Sequence, residues 1–290
     1  MKVVRAESAG FCMGVNLALR RLDAALAASP KGPEGPGGGR LVTLGPVIHN
    51  PKVIAGYAAK GVVCLASVEE AKPGDTALIR AHGVPREMER RLLDMGVTVI
   101  DATCPKVKQA QLAIAAERAR SGGTLLLYGE SEHPEVVGLV SYAENDAQVF
   151  AGLDELEAID LDPAGTYFLA AQTTQDTVGF EPVRARVRER LGHDVPVLHT
   201  ICDATRKRQE EVLALAENVA AVVVVGGANS GNTRRLAGVA MGQGIKAFRV
   251  EDASELDPAF FAGLDSVGLT AGASTPKEYI DAVEIYLKAL

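Results

Sequence analysis

The sequence contains few cysteines and no long apolar run, and each shortage argues against a class of protein. Four cysteines spread over 290 residues do not resemble a secreted disulfide framework, which favours a reducing, cytoplasmic setting. No apolar run approaches the ~20 residues that span a bilayer, and the N-terminus MKVVRAESAG lacks the apolar segment of a signal peptide. Positive charge is not in excess either: a formal charge of −7 argues against binding to nucleic acid or anionic lipid.

Three of the cysteines occupy the same kind of position, between a strand pattern and a helix pattern. Cys104, in DATCPKV, follows the alternating, β-branched run GVTVID and precedes apolar residues at helical spacing that begin with Pro105. Cys12 and Cys202 also lie where a predicted strand meets a predicted helix. Backbone N–H groups and the helix dipole favour a thiolate there, so each sulfur is suited to act as a nucleophile or metal ligand.

The spacing of these cysteines indicates a repeated structural unit. The steps from Cys12 to Cys104 and from Cys104 to Cys202 are 92 and 98 residues, and a long, nearly constant period is typical of repeats. Three strand-to-helix junctions fall in each repeat, and the predicted units are 12–103, 104–201 and 202–290, with the first strand (1–11) completing the third sheet.

These repeats predict an α/β fold, a pseudo-threefold trefoil of three small parallel-sheet units around a central cavity. In parallel α/β sheets, such junctions lie at the carboxyl ends of the strands, where ligands bind. A chain that is 47% hydrophobic can bury three cores of this size. The Gly/Pro-rich segment at 29–39 is predicted to be a flexible surface loop.

Three converging thiolates suit a metal centre with an open position. Zinc fits, and so does a cubane iron–sulfur cluster in which three cysteines leave one iron for substrate. A single cysteine is more often a small buried hydrophobe, and it is the repeated placement that favours the metal site. Cys64, in GVVCLAS, has no helix start after it and is predicted to lie in mid-strand, in the core.

The remaining junctions carry hydrogen-bonding side chains that suit a phosphate ester or diphosphate. Such groups at helix N-termini bind phosphate oxygens, although any one of them alone can equally be a helix cap or a surface contact. The candidate residues are His49, His82, His133, Ser230, Asn232 and Ser274.

Glu135, in EHPEV, is the carboxylate predicted to act as a proton donor in this cavity, because a general acid must be fixed beside the reacting oxygen. The alternative is that a glutamate in a first helical turn merely interacts favourably with the dipole. Thr173 and Thr174, in QTTQDT, either relay that proton, bind a hydroxyl or cap the next helix.

Nine motifs, in order along residues 5–280, resemble the 4-hydroxy-3-methylbut-2-enyl diphosphate reductase family. They are GFCMGV, GPVIHNPKV, RAHGVP, DATCPKV, EHPEVVG, QTTQDT, TICDATRKRQ, NSGNTRRL and TAGASTP. The resemblance implies a 4Fe-4S cluster on Cys12, Cys104 and Cys202, a proton-delivering Glu135, and a hydroxyl-binding Thr173. It implies a diphosphate site, which falls on His49, His82, His133, Ser230, Asn232 and Ser274. Ala228 stands where relatives often have lysine, and Gly231 stands where some have serine, whose contact a backbone N–H can replace.

The implied reaction removes the C4 hydroxyl as water with two electrons and two protons and yields isopentenyl and dimethylallyl diphosphates, with a ferredoxin- or flavodoxin-type electron donor. Two rival hypotheses remain. A zinc-dependent hydrolase of a phosphorylated metabolite would use the same thiols. A non-enzymatic iron–sulfur sensor would keep the cluster but gives no reason for Glu135 or the phosphate-type loops.

Overall fold

The computed structural model describes residues 1–28, 39–228 and 230–290, and the predicted loop at 29–39 lies outside this part apart from Gly39. The described chain alternates strands with helices and forms three parallel sheets. It opens with β1 (Lys2–Arg5) and α1 (Met13–Ala27). No helix of the described ranges is long and apolar enough to cross a membrane.

The first sheet is built from four short strands. They are β2 (Leu41–Leu44), β3 (Val63–Leu65), β4 (Thr76–Ile79) and β5 (Thr98–Asp101). Their order is β3-β2-β4-β5, and the associated helices are α2 (Pro51–Ala59), α3 (Arg86–Asp94) and α4 (Pro105–Ser121). Apolar side chains of β2 and β4 form its core with Leu92 and Val97.

The second sheet has three strands in the order β7-β6-β8. The strands are β6 (Thr124–Tyr128), β7 (Ala147–Phe150) and β8 (Tyr167–Ala171). Its helices are α5 (Pro134–Tyr142), α6 (Leu153–Ala158) and α7 (Thr177–Leu191). Separate apolar clusters cover the two faces, so the strands are apolar on both sides.

The third sheet contains the first strand of the chain. Its other strands are β9 (Ala221–Val225), β10 (Lys246–Val250) and β11 (Ser266–Ala271), in the order β1-β11-β9-β10. The helices are α8 (Asp203–Ala216), α9 (Gly231–Gly242) and α10 (Lys277–Ala289). Because Lys2 pairs with Ser266 in parallel register, β1 completes the C-terminal sheet, as the repeat pattern predicts.

The three sheets share one strand order, which confirms the predicted α/β fold of three small parallel-sheet units. Each sheet follows a helix that starts after a repeat cysteine, namely α1, α4 or α8. The first strand after that helix is central, the second lies beside it at one edge of the sheet, and the third lies on the opposite side of the central strand. β5 and β1 then add a fourth strand to the first and third sheets, and each leads to a cysteine.

The predicted strand VPVLHT, at 195–200, forms only one parallel bridge, between Val197 and Leu169. Pro196 has no N–H to donate, although its carbonyl accepts a hydrogen bond from Leu169 N at 2.8 Å. The Thr200 hydroxyl then takes the place of the next backbone pair, since it donates to Ala171 O at 2.6 Å and accepts from Ala171 N at 2.9 Å.

The chain divides into two compact units. We call residues 1–16, 48–53 and 202–290 the C-terminal unit and residues 17–47 and 54–201 the central unit. The third sheet lies in the C-terminal unit, and the first two sheets lie in the central unit. Each of the three predicted repeats contains one sheet, and the division into three domains stays a prediction.

Candidate active site

All three repeat cysteines lie at helix N-termini, as predicted. Cys12 directly precedes α1, and Cys104 and Cys202 are the N-cap residues of α4 and α8. All four cysteines are free thiols, and these three are half-buried. Val15 N approaches the Cys12 sulfur at 3.5 Å, so the helix start directs an N–H toward the thiol.

The loops before Cys104 and Cys12 are held in the same way. Cys104 N donates to Ala81 O at 2.9 Å, and Cys12 N donates to Ala273 O at 3.1 Å. In both cases the acceptor lies two residues beyond the end of the neighbouring strand. A hydrogen bond to the loop after the neighbouring strand therefore positions each of these cysteines.

An aspartate shapes the turn in DATCPKV. The Asp101 carboxylate accepts from Thr103 N at 2.9 Å, which closes a turn directly after β5, and Lys108 contacts the same carboxylate at 3.3 Å. Pro105 then starts α4, since its fixed φ suits the first helical turn.

Cys64 corrects one prediction. It lies in mid-strand in β3, as expected, but its side chain is exposed and does not belong to the core. β3 is an edge strand, and the predicted pattern could not distinguish an edge strand from a central one.

In the C-terminal unit, two of the predicted anion-binding residues, His49 and Ser274, pack together. Ser274 Oγ lies 3.4 Å from the His49 carbonyl oxygen. A Cβ atom at Gly227 would lie 2.7 Å from the same oxygen, so only glycine lets the loop after β9 approach His49 this closely.

The start of α9, in the same unit, carries further predicted anion-binding residues. Ser230 is the N-cap residue, and its Oγ accepts from Thr233 N at 3.3 Å, so its hydroxyl proton can point to a ligand. Asn232 is 8% exposed, and its Nδ2 has no partner among the described residues. Gly231 is the first residue of the helix. A buried amide donor at a helix N-terminus is suited to an anion.

In the central unit, Glu135 and Thr173 form a buried pair. The Glu135 carboxylate accepts from Thr173 N at 2.6 Å and from Thr173 Oγ1 at 2.9 Å, and the two residues are 1% and 4% exposed. A Cβ atom at Gly129 would lie 2.8 Å from Val136 Cγ2 and 3.1 Å from Gln172 Cβ. The glycine therefore lets the start of α5 approach the end of β8.

Two of the predicted histidines meet in the central unit. The rings of His82 and His133 pack edge to face, with centroids 5.2 Å apart. His133 is the N-cap residue of α5, and its Nδ1 accepts from Glu135 N at 3.1 Å. In the neutral ring the proton is then on Nε2, which makes this nitrogen a donor.

Neither Thr173 nor Thr174, in QTTQDT, caps the next helix. Asp176 is the N-cap residue of α7, since its carboxylate accepts from Val178 N and Gly179 N. Thr174 Oγ1 accepts instead from Gln172 Nε2 at 3.1 Å. The capping alternative for Thr173 and Thr174 is therefore wrong.

The structure adds Arg208, to which the sequence assigned no role. This residue, in TICDATRKRQ, is 4% exposed and donates to Gly10 O at 2.8 Å. Burial lowers the pKa of its guanidinium, and interactions with Cys12 and Cys202 oppose that shift. The sequence did contain a signal for this residue. Arg208 lies six residues after Cys202, and the residues six after Cys12 and Cys104 are both alanine.

Within each unit, the described contacts bring predicted site residues together in pairs. The C-terminal unit brings His49 together with Ser274, and it carries Ser230 and Asn232 at the start of α9. The central unit brings Glu135 together with Thr173 and His82 together with His133. The fold therefore defines an α/β protein of parallel sheets, and the predicted site residues follow the carboxyl ends of its strands.

Comparison with known proteins identifies the family. A family model described as LytB protein matches residues 3–288, so the chain belongs to the LytB protein family. It is 56% identical over 291 residues to the 4-hydroxy-3-methylbut-2-enyl diphosphate reductase of Nitratidesulfovibrio vulgaris (strain DP4), covering 100% of both chains.

Two solved structures are similar to the chain. One is (E)-4-hydroxy-3-methyl-but-2-enyl diphosphate reductase, the terminal enzyme of the non-mevalonate pathway, at 38% identity and a TM-score of 0.68, with 100% of both chains covered. The other is the E-1-hydroxy-2-methyl-but-2-enyl-4-diphosphate reductase from Plasmodium falciparum. Its TM-score is 0.90 at 20% identity, with 100% of this chain and 87% of that chain covered, and this match supports the fold alone.

Proposed function

We propose that the protein is a 4-hydroxy-3-methylbut-2-enyl diphosphate reductase. In this reaction the C4–O bond of the substrate breaks, the hydroxyl leaves as water, and two electrons and two protons yield isopentenyl or dimethylallyl diphosphate. The observation that carries the proposal is the full-length, 56% identical relative of that name. The buried pair of Glu135 and Thr173 and the donors at the start of α9 supply chemistry that suits the reaction.

The proposed cofactor is a 4Fe-4S cluster held by Cys12, Cys104 and Cys202. All three are free thiols at helix N-termini, where a thiolate is favoured, and the buried guanidinium that interacts with Cys12 and Cys202 suits an anionic group. Such a cluster, when bound, supplies single electrons and an open iron for the departing oxygen.

The proposed diphosphate site uses short, neutral donors in place of a cluster of lysines and arginines. Its residues are His49, His82, His133, Ser230, Gly231, Asn232 and Ser274. The Asn232 amide and the N–H groups at the start of α9 supply donors to phosphate oxygens. Holding the diphosphate turns remote binding energy into orientation of the C4 hydroxyl.

Glu135 is the proposed proton donor and Thr173 the proposed hydroxyl-binding residue. The hydrogen bond of 2.9 Å between Thr173 Oγ1 and the Glu135 carboxylate joins the two groups, so a proton can pass from the acid through the threonine hydroxyl to the leaving oxygen. Burial of both side chains excludes bulk water from this path.

The proposed redox partner is a ferredoxin- or flavodoxin-type protein, because the electrons must arrive one at a time. A reducing cytoplasm is the proposed setting, since the cysteines are free thiols rather than disulfides.

The test is the iron and acid-labile sulfide content of protein purified without air, followed by turnover of the substrate with a low-potential chemical reductant. We expect about four iron and four sulfide per chain and reductant-dependent release of both products. Cluster without turnover would favour the non-enzymatic sensor. Zinc without sulfide would favour the hydrolase.

A further inference from the structure

Arg208 breaks the threefold repeat at a buried position. It lies on α8, six residues after Cys202, and the corresponding positions after Cys12 and Cys104 are Ala18 and Ala110. All three side chains are buried, at 4%, 0% and 2% exposure respectively. Two repeats therefore fill this place with a methyl group, and the third fills it with a guanidinium.

The guanidinium connects its own helix, α8, with the loop that precedes Cys12. One terminal nitrogen donates to Gly10 O at 2.8 Å, and the other donates to Ala204 O at 3.1 Å. Gly10 lies two residues before Cys12, and Ala204 lies two residues after Cys202. The contact within α8 fixes the planar guanidinium on its helix, and the contact to Gly10 holds the loop before Cys12 against that helix.

The contacts of Arg208 leave its charge unbalanced. Its Nε is buried with no partner, and no carboxylate of the described residues lies within ion-pair distance. Glu211, the acid that interacts with it, accepts from Ser8 N and Ser8 Oγ. A buried cation needs an anion nearby, and the titratable groups that interact with Arg208 most strongly are Cys12 and Cys202.

We propose that Arg208 is a positioning residue that holds the loop before Cys12 against α8, the helix that starts after Cys202, and balances the negative charge of the two thiolates and of the group that they bind. The inference rests on the proposed function for the identity of that group. It assigns to α8 a role that α1 and α4 do not share.

The test compares Arg208→Met and Arg208→Lys with Arg206→Met. Arg206 is a matched control, because it lies on the same helix and its side chain is 53% exposed. Iron and sulfide are first measured in the parent protein. If they are absent and zinc is present, the proposed function fails, and the same variants then test Arg208 through retention of zinc.

With cluster in the parent, Arg208→Met should lose iron to a chelator about tenfold faster or more, as expected when a group that orients metal ligands is removed. Its cluster should also have a lower reduction potential, because the added electron is no longer balanced by the cation. Arg208→Lys keeps the positive charge but lacks the planar guanidinium. Its cluster should therefore have a reduction potential close to that of the parent, and its rate of iron loss should lie between those of the parent and Arg208→Met.

Thermal unfolding distinguishes this role from a merely structural one. Arg208→Met should destabilise the cluster-bound protein more than the cluster-free protein, because only the former holds the group that the guanidinium is proposed to balance. Equal destabilisation of both forms, failure of the cluster-free variant to fold, or a parent-like potential and iron loss in Arg208→Met would overturn the proposal.

Discussion

At the scale of the residue, both oxygens of the Glu135 carboxylate are engaged by Thr173. One oxygen accepts from the backbone N–H and the other accepts from the hydroxyl. Since Glu135 is 1% exposed, its neighbours rather than solvent set its orientation. The first-turn position allowed a second interpretation, in which the glutamate only complements the helix dipole, and this geometry favours the catalytic one.

Glu135→Gln should keep substrate binding and lose turnover. The amide has nearly the shape of the carboxyl group, but it cannot deliver a proton, and removing a general acid lowers rates by about 100- to 10,000-fold. Steady-state kcat and the substrate dissociation constant, measured on cluster-loaded protein, check this expectation.

Glu132→Gln is the matched control for that variant, because Glu132 lies three residues earlier, on the loop before α5, and is exposed. It should keep the activity of the parent. Full activity in Glu135→Gln would remove Glu135 from the proton path, whereas equal losses in the two variants would point to the loop rather than to the acid.

At the scale of the element, a side-chain hydroxyl forms the hydrogen bonds at the end of β8 that a fourth strand would otherwise form. Thr200 is 7% exposed, and its hydroxyl is the partner of both polar groups of Ala171, which is itself fully buried. β5 and β1 provide this edge by backbone pairing in the other two sheets.

Thr200→Val should lower the free energy of unfolding by about 1–3 kcal/mol, since it leaves a buried N–H and a buried C=O without partners. Thr98→Val, at an exposed position of β5, should leave stability nearly unchanged. Urea denaturation of both variants measures the difference, and parent-like stability in Thr200→Val would show that the hydroxyl is dispensable.

The buried carboxylate of Asp75 links the residues that precede β2 and β4 by hydrogen bonds. Asp75 is 3% exposed and accepts from the Arg40 guanidinium at 2.6 Å and from Lys72 N at 2.8 Å. Burial raises the pKa of Asp75, but the hydrogen bonds and the charge of Arg40 outweigh it, so the pKa lies below its usual value.

This lowered pKa gives the contact a defined pH dependence. Stability contributed by Asp75 should be complete above its unfolded-state pKa, about 3.9, and should be lost as pH falls through the lower folded-state pKa. Asp75→Asn should therefore destabilise the protein by about 1–3 kcal/mol at pH 7 and by less at pH 3.

Urea denaturation at the two pH values checks this prediction. Asp94→Asn serves as the control, because Asp94 is exposed at the end of α3. A deficit in Asp75→Asn that does not shrink at pH 3 would mean that the charge of Asp75 is not what fastens the strands.

At the scale of the whole molecule, the proposed ligands are distributed over the entire chain. Cys12 and Cys202 belong to the C-terminal unit and Cys104 belongs to the central unit. We therefore expect that bound cluster raises the thermal stability of the protein.

Cys104→Ser should lose most of its iron and sulfide together with its activity, whereas Cys64→Ser should keep all three. Cys64 is the natural control, because it is also a free thiol but lies exposed on an edge strand. Metal analysis and turnover on protein purified without air measure the outcome. Equal damage in the two variants would exclude the three-cysteine assignment.

Much of the architecture was predictable from local pattern. The alternation of apolar runs with helical spacing, and the proline or capping residue at several helix starts, depend on residues close in sequence. For this reason the strand-to-helix junctions at Cys12, Cys104 and Cys202 and the parallel sheets were predictable. The place of β1 in the C-terminal sheet was predictable because the long repeat carried information that a single unit did not, whereas its pairing with β11 came from the structure.

The sequence by itself determined where the strands end and which polar side chains stand there, because period and turn chemistry are local properties of the chain. Only the tertiary structure decided which strand is an edge, and hence that Cys64 is exposed. It also decided that Thr200 replaces a backbone pair and that the Arg208 guanidinium reaches Gly10, 198 residues away. These features depend on neighbours that meet only when the sheets have formed, because burial and hydrogen bonding are set by distance in space rather than along the chain.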